Sequence, residues 1–183
     1  TAPVCRARDA RRVVAGFDTT CVIDRADALG CFGAYRVVAG AVGDVAIGAD
    51  HACVLGADAL TCHGVEPGGA GEPLTAPLVV PFAGGALAAG GIDHLCATDA
   101  TGALACLGKN DHGQLGDGTF VARAGLVPVR LLPSPVTSVG VGDRHSCAVA
   151  DGTPFCWGWN DEGQLGDDGG VPSLDPVEVL RDR

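Results

Sequence analysis

The sequence has no methionine, one tyrosine, two tryptophans and a single lysine, Lys109; aromatic residues make up 4% of it. Each scarcity excludes something. No apolar run approaches the roughly 20 residues that a membrane helix needs, and no 3.6-residue period is sustained, so neither a spanning helix nor a helical bundle is expected. The net charge of −10 repels phosphate. The sole basic cluster, "RARDARR" at 6–12, therefore reads as a solvated strand connection rather than a nucleic-acid site. Serine is scarce and no G-x-S-x-G elbow occurs, which leaves no visible nucleophilic triad. Asp143, His145 and Ser146 are close in sequence, but neighbours on a strand point to opposite faces, so His145 and Ser146 do not meet. "GVG" at 140–142 is no phosphate loop, because no helix follows to present its N-terminus.

What the chain has instead is 29 glycines, 11 prolines and nine cysteines. That composition belongs to many short strands joined by tight turns. The clearest is "HSCAVADGTPFCWGWNDEGQLGD" at 145–167. Asp-Gly between extended apolar runs signals a two-residue hairpin turn in which both central residues need φ > 0. With Asp151 and Gly152 in the turn, Cys147 falls opposite Cys156 in a non-hydrogen-bonded pair, where Cα atoms lie about 4.5 Å apart. A disulfide spans that distance.

The arrangement recurs. Cys53 faces Cys62 across Ala57-Asp58; Cys96 faces Cys106 over a three-residue loop with Gly102 in the left-handed conformation; Cys21 faces Cys31 in the same way, with Asp27 tolerating that conformation. Four local disulfides are expected, Cys21–Cys31, Cys53–Cys62, Cys96–Cys106 and Cys147–Cys156, in preference to free thiols or metal ligands. In the chain-entropy model each such loop contributes up to roughly 3 kcal/mol. Cysteines paired in such numbers indicate an oxidising compartment: secreted, periplasmic or cell-surface.

Each hairpin follows a short apolar-glycine run: "VVAGFDTTC", "AIGADHAC", "LAAGGIDHLC" and "SVGVGDRHSC". The two later ones lead into "LGKNDHGQLGDGT" and "WGWNDEGQLGDDG", then into a Pro-Val segment. The unit reads as four short strands, and first cysteines recur at 21, 53, 96 and 147. The predicted repeats are 12–40, 44–80, 86–132 and 136–180 within one domain, 1–183, with residues 1–11 ending a preceding unit. "GVEPGGAGEPLTAP" at 64–77 is the most relaxed stretch and reads as an exposed loop.

The string G-x-x-H-x-C…G…C-W-G-x-N-x-x-G-Q-L-G over 136–180 resembles one full repeat of the regulator-of-chromosome-condensation (RCC1-like) family, and 92–129 resembles it nearly as well. Residues 12–33 and 44–64 resemble only the inner half of a repeat. The resemblance implies an all-β chain, a β-propeller of RCC1-like repeats with four strands per blade. About four blades are visible, a partial ring, since family members usually close with seven. The cysteine pairs are similar to those of secreted bacterial versions. Chromatin binding and GTPase exchange, roles of the nuclear namesake, find no matching residues here. Cys5, the odd cysteine, then sits where a second-cysteine strand should be, with its partner upstream of Thr1, and the chain is expected to be processed or partial. A free Cys5 in a small closed propeller is the alternative.

Other candidate sites carry structural readings. His51, His94 and His145 each precede a cysteine by two residues; H-x-C is half a zinc site, but the three occupy equivalent places in separate blades, which keeps them apart. The aspartates of the GQLG segments lack the order of a calcium loop, and the Asn and Gly there suit turns that need left-handed backbone. Trp157 and Trp159 alternate with Gly158 and so share a strand face, either as a blade-packing pair or as an aromatic contact for a partner. No catalytic residue, metal or cofactor is predicted. The expected function is a non-enzymatic extracellular propeller that binds a protein or glycan through its loops, without nucleic acid or membrane insertion. The alternative is a structural subunit of a surface assembly that completes its ring with another chain or copy. The family's secreted enzyme inhibitor favours the first.

Overall fold

The computed structural model describes residues 9–34, 37–39, 42–65, 73–82, 85, 87–88 and 90–180. Cys5 and the first part of the basic cluster lie outside them. Among the described residues sixteen strands form four antiparallel sheets of four, each a simple meander. Blade 1 comprises β1 (Ala10–Ala15), β2 (Thr19–Asp24), β3 (Leu29–Gly33) and β4 (Val38–Ala39); blade 2 comprises β5 (Asp44–Ile47), β6 (His51–Leu55), β7 (Ala59–Gly64) and β8 (Leu78–Pro81). Blade 3 comprises β9 (Leu87–Ala88), β10 (His94–Thr98), β11 (Leu104–Gly108) and β12 (Arg123–Pro128); blade 4 comprises β13 (Val136–Val141), β14 (His145–Ala150), β15 (Thr153–Gly158) and β16 (Ser173–Glu178). Blades 1 and 2, in which the sequence shows only an inner half-repeat, thus also have outer strands, β4 being two residues long. The first strands neighbour one another in the order β1, β5, β9, β13, which sets the blades around a common axis.

The cysteines pair in register: Cys21 with Cys31, Cys53 with Cys62, Cys96 with Cys106 and Cys147 with Cys156, with Cα–Cα distances of 4.0–4.1 Å. Short separations of this kind mark non-hydrogen-bonded pairs. The turns supply the register. Asp151 and Gly152 have φ of 48° and 74°, Gly102 has 82° and Asp27 has 59°. At the other end of each hairpin stands a C-x-G: Gly33, Gly64, Gly108 and Gly158 all have φ near +100°, from 98° to 117°. A Cβ at Gly33, Gly108 or Gly158 would run into the backbone of the preceding strand's first residues. Only glycine lets the third strand of each blade turn away there.

The apolar cores lie between blades rather than within them. One joins Cys21, Ile23, Leu29 and Cys31 of blade 1 to Val45, Ile47 and Val54 of blade 2. A second joins Leu55, Leu60, Cys53 and Cys62 to Leu95, Ala97 and Leu107. The third joins Cys96, Leu104, Cys106 and Leu115 to Val136, Ala148, Ala150 and Trp157. A disulfide is therefore part of the floor on which the next blade packs. Arg11 and Arg12 of the basic cluster are engaged at the first junction: Arg11 pairs with Asp27 at 2.8 Å and donates to the carbonyls of Val42 and Gly43, and Arg12 pairs with Asp44 at 2.7 Å.

Candidate functional site

The long β7–β8, β11–β12 and β15–β16 connections, the short β3–β4 connection and the β1–β2, β5–β6, β9–β10 and β13–β14 links belong to the same end of the meanders. Near the axis, four equivalent segments line a cavity of about 510 Å³: Ala15–Phe17, Ile47–Ala49, Gly90–Ile92 and Val141–Asp143. Its wall is glycine and aliphatic side chain, with Phe17 91% exposed at the rim.

Beneath this rim stand the H-x-C histidines. Gly48 and Gly142 leave room for the rings of His51 and His145, which a Cβ at either glycine would strike. His51 and His94 are buried, His145 half so. Burial pushes His51 down to about 4, with Asp93 and Asp50 opposing. Burial pushes His94 down to about 3, and the neighbouring His51 and His145 add to it against Asp111. The three histidines open the second strands of separate blades, β6, β10 and β14. Among the described residues no group of three metal-ligating side chains is assembled.

His94 instead reaches into the next blade. Ser146 donates to the carbonyl of Gln114 at 2.9 Å, so its oxygen accepts from Nε2–H of His94, also at 2.9 Å. His94 Nδ1 is buried without a partner, which fits the neutral Nε2–H tautomer. Trp157 donates its indole N–H to the same Gln114 carbonyl at 2.9 Å. One backbone oxygen of the GQLG turn of blade 3 therefore receives two side chains of blade 4.

That turn is organised by Asn110, fully buried. Its Oδ1 accepts from the Leu115 N–H at 3.0 Å, and its Nδ2 donates to Asp117, to the Thr119 carbonyl and to the Val121 carbonyl. Asn160 repeats the pattern with Leu165, Asp167 and Val171. The left-handed positions belong to Gly113, Gly116, Gly118, Gly163, Gly166 and Asp168. The asparagines do not take them, as the sequence reading had them; they are buried hubs whose side chains substitute for missing backbone partners. Asp117 accepts from Thr119 and Asn110 and pairs with Arg123 at 3.0 Å. Burial raises its pKa, but the hydrogen bonds from Thr119, Arg123 and Asn110 outweigh it and hold the carboxyl below its ordinary range.

The two tryptophans do not share a face. Gly158, with φ of 102°, ends β15 between them. Trp157 is fully buried in the core between blades 3 and 4, so it is removed as a partner contact. Trp159 is half-buried on the rim. The Arg144 guanidinium lies 5.6 Å from its ring centroid, and the His112 ring is tilted against it at 6.0 Å. Arg144 comes from the β13–β14 link and His112 from the GQLG turn of blade 3, so the cluster straddles two blades. A smaller cleft beside it is bounded by Asp93, Lys109, Asp111, Asp143 and Arg144, with Lys109 and Asp93 paired at 3.2 Å. Sequence reasoning missed Arg144 and His112; no periodicity joins residues 32 apart in different blades.

The fold and these junctions define a class: a β-propeller arc of disulfide-stapled, four-stranded blades. More particularly, its blades are similar to RCC1 repeats. Residues 102–149 match the family model "Regulator of chromosome condensation (RCC1) repeat", a segment that begins in the β10–β11 loop and ends within β14, straddling blades 3 and 4. Prp20p from Saccharomyces cerevisiae is similar over 98% of this chain and 52% of its own, at 18% identity and a TM-score of 0.82. Yeast RCC1 (Prp20) with Kap60 bound is similar over 98% and 50%, at 18% identity and a TM-score of 0.79. Human WBSCR16 is similar over 94% and 53%, at 19% identity and a TM-score of 0.75. The chain spans about half the length of these structures. No curated protein matches it. No helix among the described residues is long and apolar enough to cross a membrane.

Proposed function

We infer that the chain, one propeller domain or part of one, is a non-enzymatic interaction module that binds a protein through the long-loop face, in an oxidising compartment: secreted, periplasmic or cell-surface. The observation that carries this reading is Trp159, half-buried, with the Arg144 guanidinium 5.6 Å from its ring centroid and the His112 ring tilted against it at 6.0 Å, in a cluster that straddles blades 3 and 4. A tryptophan flanked by an arginine has the composition of an interface hot spot, and its rigidity lowers the entropic cost of binding. The neighbouring structures support a protein partner as a class: Prp20p is described with binding to Gsp1p and histones, and yeast RCC1 with Kap60 bound. With a net charge of −10, nucleic acid is not the partner. The reading requires no metal or cofactor and no membrane insertion.

The test is retention of secreted proteins from the source culture on immobilised chain, with Trp159→Ala and Arg144→Glu alongside. The expected result is a partner whose binding weakens at least about 30-fold in Trp159→Ala, a hot-spot loss of about 2 kcal/mol. Retention that ignores both substitutions, or binding to a glycan array instead, overturns it.

A further inference from the structure

A polar relay crosses the junction between blades 3 and 4. The two blades share one register: His94 lies opposite Gly108 with Leu95 opposite Leu107, and His145 lies opposite Gly158 with Ser146 opposite Trp157. The leucines of blade 3 join the apolar core it shares with blade 2. In blade 4 the same two places hold a hydroxyl and an indole, and both donate to the Gln114 carbonyl of blade 3 at 2.9 Å. Ser146 in turn accepts from His94. This junction is therefore held partly by hydrogen bonds in a space closed to water, where such bonds are strong and an unmet polar group is costly.

His94 fits this site in one protonation state. The residue is fully buried, its Nε2–H is spent on Ser146, and its Nδ1 has no partner among the described residues. A proton on Nδ1 adds an N–H without an acceptor and a full charge without water. The packing around it offers little relief. A Cβ on Gly108 of β11 would strike His94 Cβ, and one on Gly90 of the β9–β10 link would strike the His94 carbonyl and Val141 of β13. Asp93, next in the chain, is paired with Lys109 at 3.2 Å. His51 of β6 and His145 of β14 oppose charging of the ring, and Asp111, from the turn after β11, favours it. Asp111 is itself exposed and accepts from Gln114 Nε2 at 3.2 Å.

We propose that the junction between blades 3 and 4 is an acid-released latch: protonation of His94 parts Ser146 and Trp157 from the Gln114 carbonyl while the sheets stay intact. Water then reaches the imidazolium, the freed carbonyl and the indole. The closed ring takes its proton at about 3 and an opened one near the ordinary 6.5, so the junction is at full strength above about pH 6.5 and weakens as pH falls toward 3. Each unit of pH in that window favours the open form up to about tenfold. His51 holds the equivalent place in blade 2, where Asp93 and Asp50 offset part of its burial. Leu95 and Leu107 give that junction no side-chain hydrogen bond for water to replace, so it gives way later. The consequence for binding rests on the reading of Trp159 above. Arg144 and His112 come from opposite sides of the latch, so its release takes the contact cluster apart and sheds the partner in acid.

The Trp159→Phe chain tests this, because Trp157 is then its one tryptophan. Acrylamide quenching of Trp157 and far-UV circular dichroism are followed together as the pH is lowered. The expected result is a quenching constant that rises at least about 3-fold between about pH 6.5 and 4 while the sheet signal holds. His94→Gln in this background keeps a donor for Ser146 and cannot be charged, and its Trp157 stays shielded until the sheets melt. Asp111→Asn, on an exposed side chain, removes the carboxylate that favours the charge and moves the opening to lower pH. Quenching that stays flat, or that rises only together with loss of the sheet signal, overturns the latch. So does a His94→Gln or Asp111→Asn profile superimposable on that of the Trp159→Phe parent. None of these readouts involves a partner: a failed latch leaves the binding role standing, and a failed search for a partner leaves the latch standing.

Discussion

Ser146→Ala isolates one junction between blades 3 and 4. The hydroxyl does two things: it donates to the Gln114 carbonyl and accepts from His94 Nε2–H, both at 2.9 Å. After the substitution Gln114 keeps the indole donor of Trp157. His94 keeps nothing, because its Nδ1 already has no partner and the ring is 0% exposed. The loss is one net hydrogen bond of about 1 kcal/mol plus the desolvation of an orphaned buried donor, about 1–3 kcal/mol. A total of about 2–3 kcal/mol lowers Tm by roughly 5–10 °C for a chain of this length. Urea unfolding followed by the emission of the buried Trp157 measures it. The companion variant is His94→Leu, alone and with Ser146→Ala. When both polar partners are gone no donor is stranded, so the double variant loses less than the sum, with a coupling above about 1 kcal/mol. A Ser146→Ala cost below about 0.5 kcal/mol, or strictly additive single costs, would falsify the assigned proton arrangement.

Asn110→Ala strands the Leu115 N–H and the acceptors that Nδ2 serves inside a closed junction, and is expected to cost about 2–4 kcal/mol. Asn160→Ala, in a turn whose outer side is open, costs less by thermal melting; equal costs would contradict the role given to blade packing. Burial holds His51 near 4 and His94 near 3, below the ordinary 6.5. The unfolded chain therefore binds more protons between these values, so stability is full above about pH 6.5 and declines as pH falls toward 4, by up to about 3 kcal/mol per pH unit. Urea midpoints that stay flat from about pH 6.5 to 4 refute this. Below that window Asp117 and Asp167, both held low, act in the same direction. Under limiting reductant, Cys147–Cys156 is alkylated first, since Cys147 is half-exposed and the other three bridges are covered; peptide mapping that finds another pair opened first refutes this order.

The residues show how far local reasoning reaches. Asp151-Gly152, Gly102 and Asp27 announce their turns, and alternation carries each register outward to the cysteines. The same alternation misplaces Trp159, because Gly158 breaks the strand between the tryptophans. It also hides the asparagines' role, because Asn110 and Asn160 act through side chains that reach up to 11 residues along the chain. Arg144 and His112 carry no local signal.

The sequence by itself determined the stapled hairpins, the four-strand unit, its repetition and the acidic, glycine-rich character of the chain. These follow from turn chemistry and a two-residue period acting over about ten residues. The tertiary structure decided which surfaces of those units are core and which are rim. His94 meets Ser146 across 52 positions, Trp157 meets Gln114 across 43, and Arg144 meets His112 across 32. Such meetings depend on how far each blade is rotated about the axis from the last, and that rotation is set by packing between whole sheets, not by any one segment.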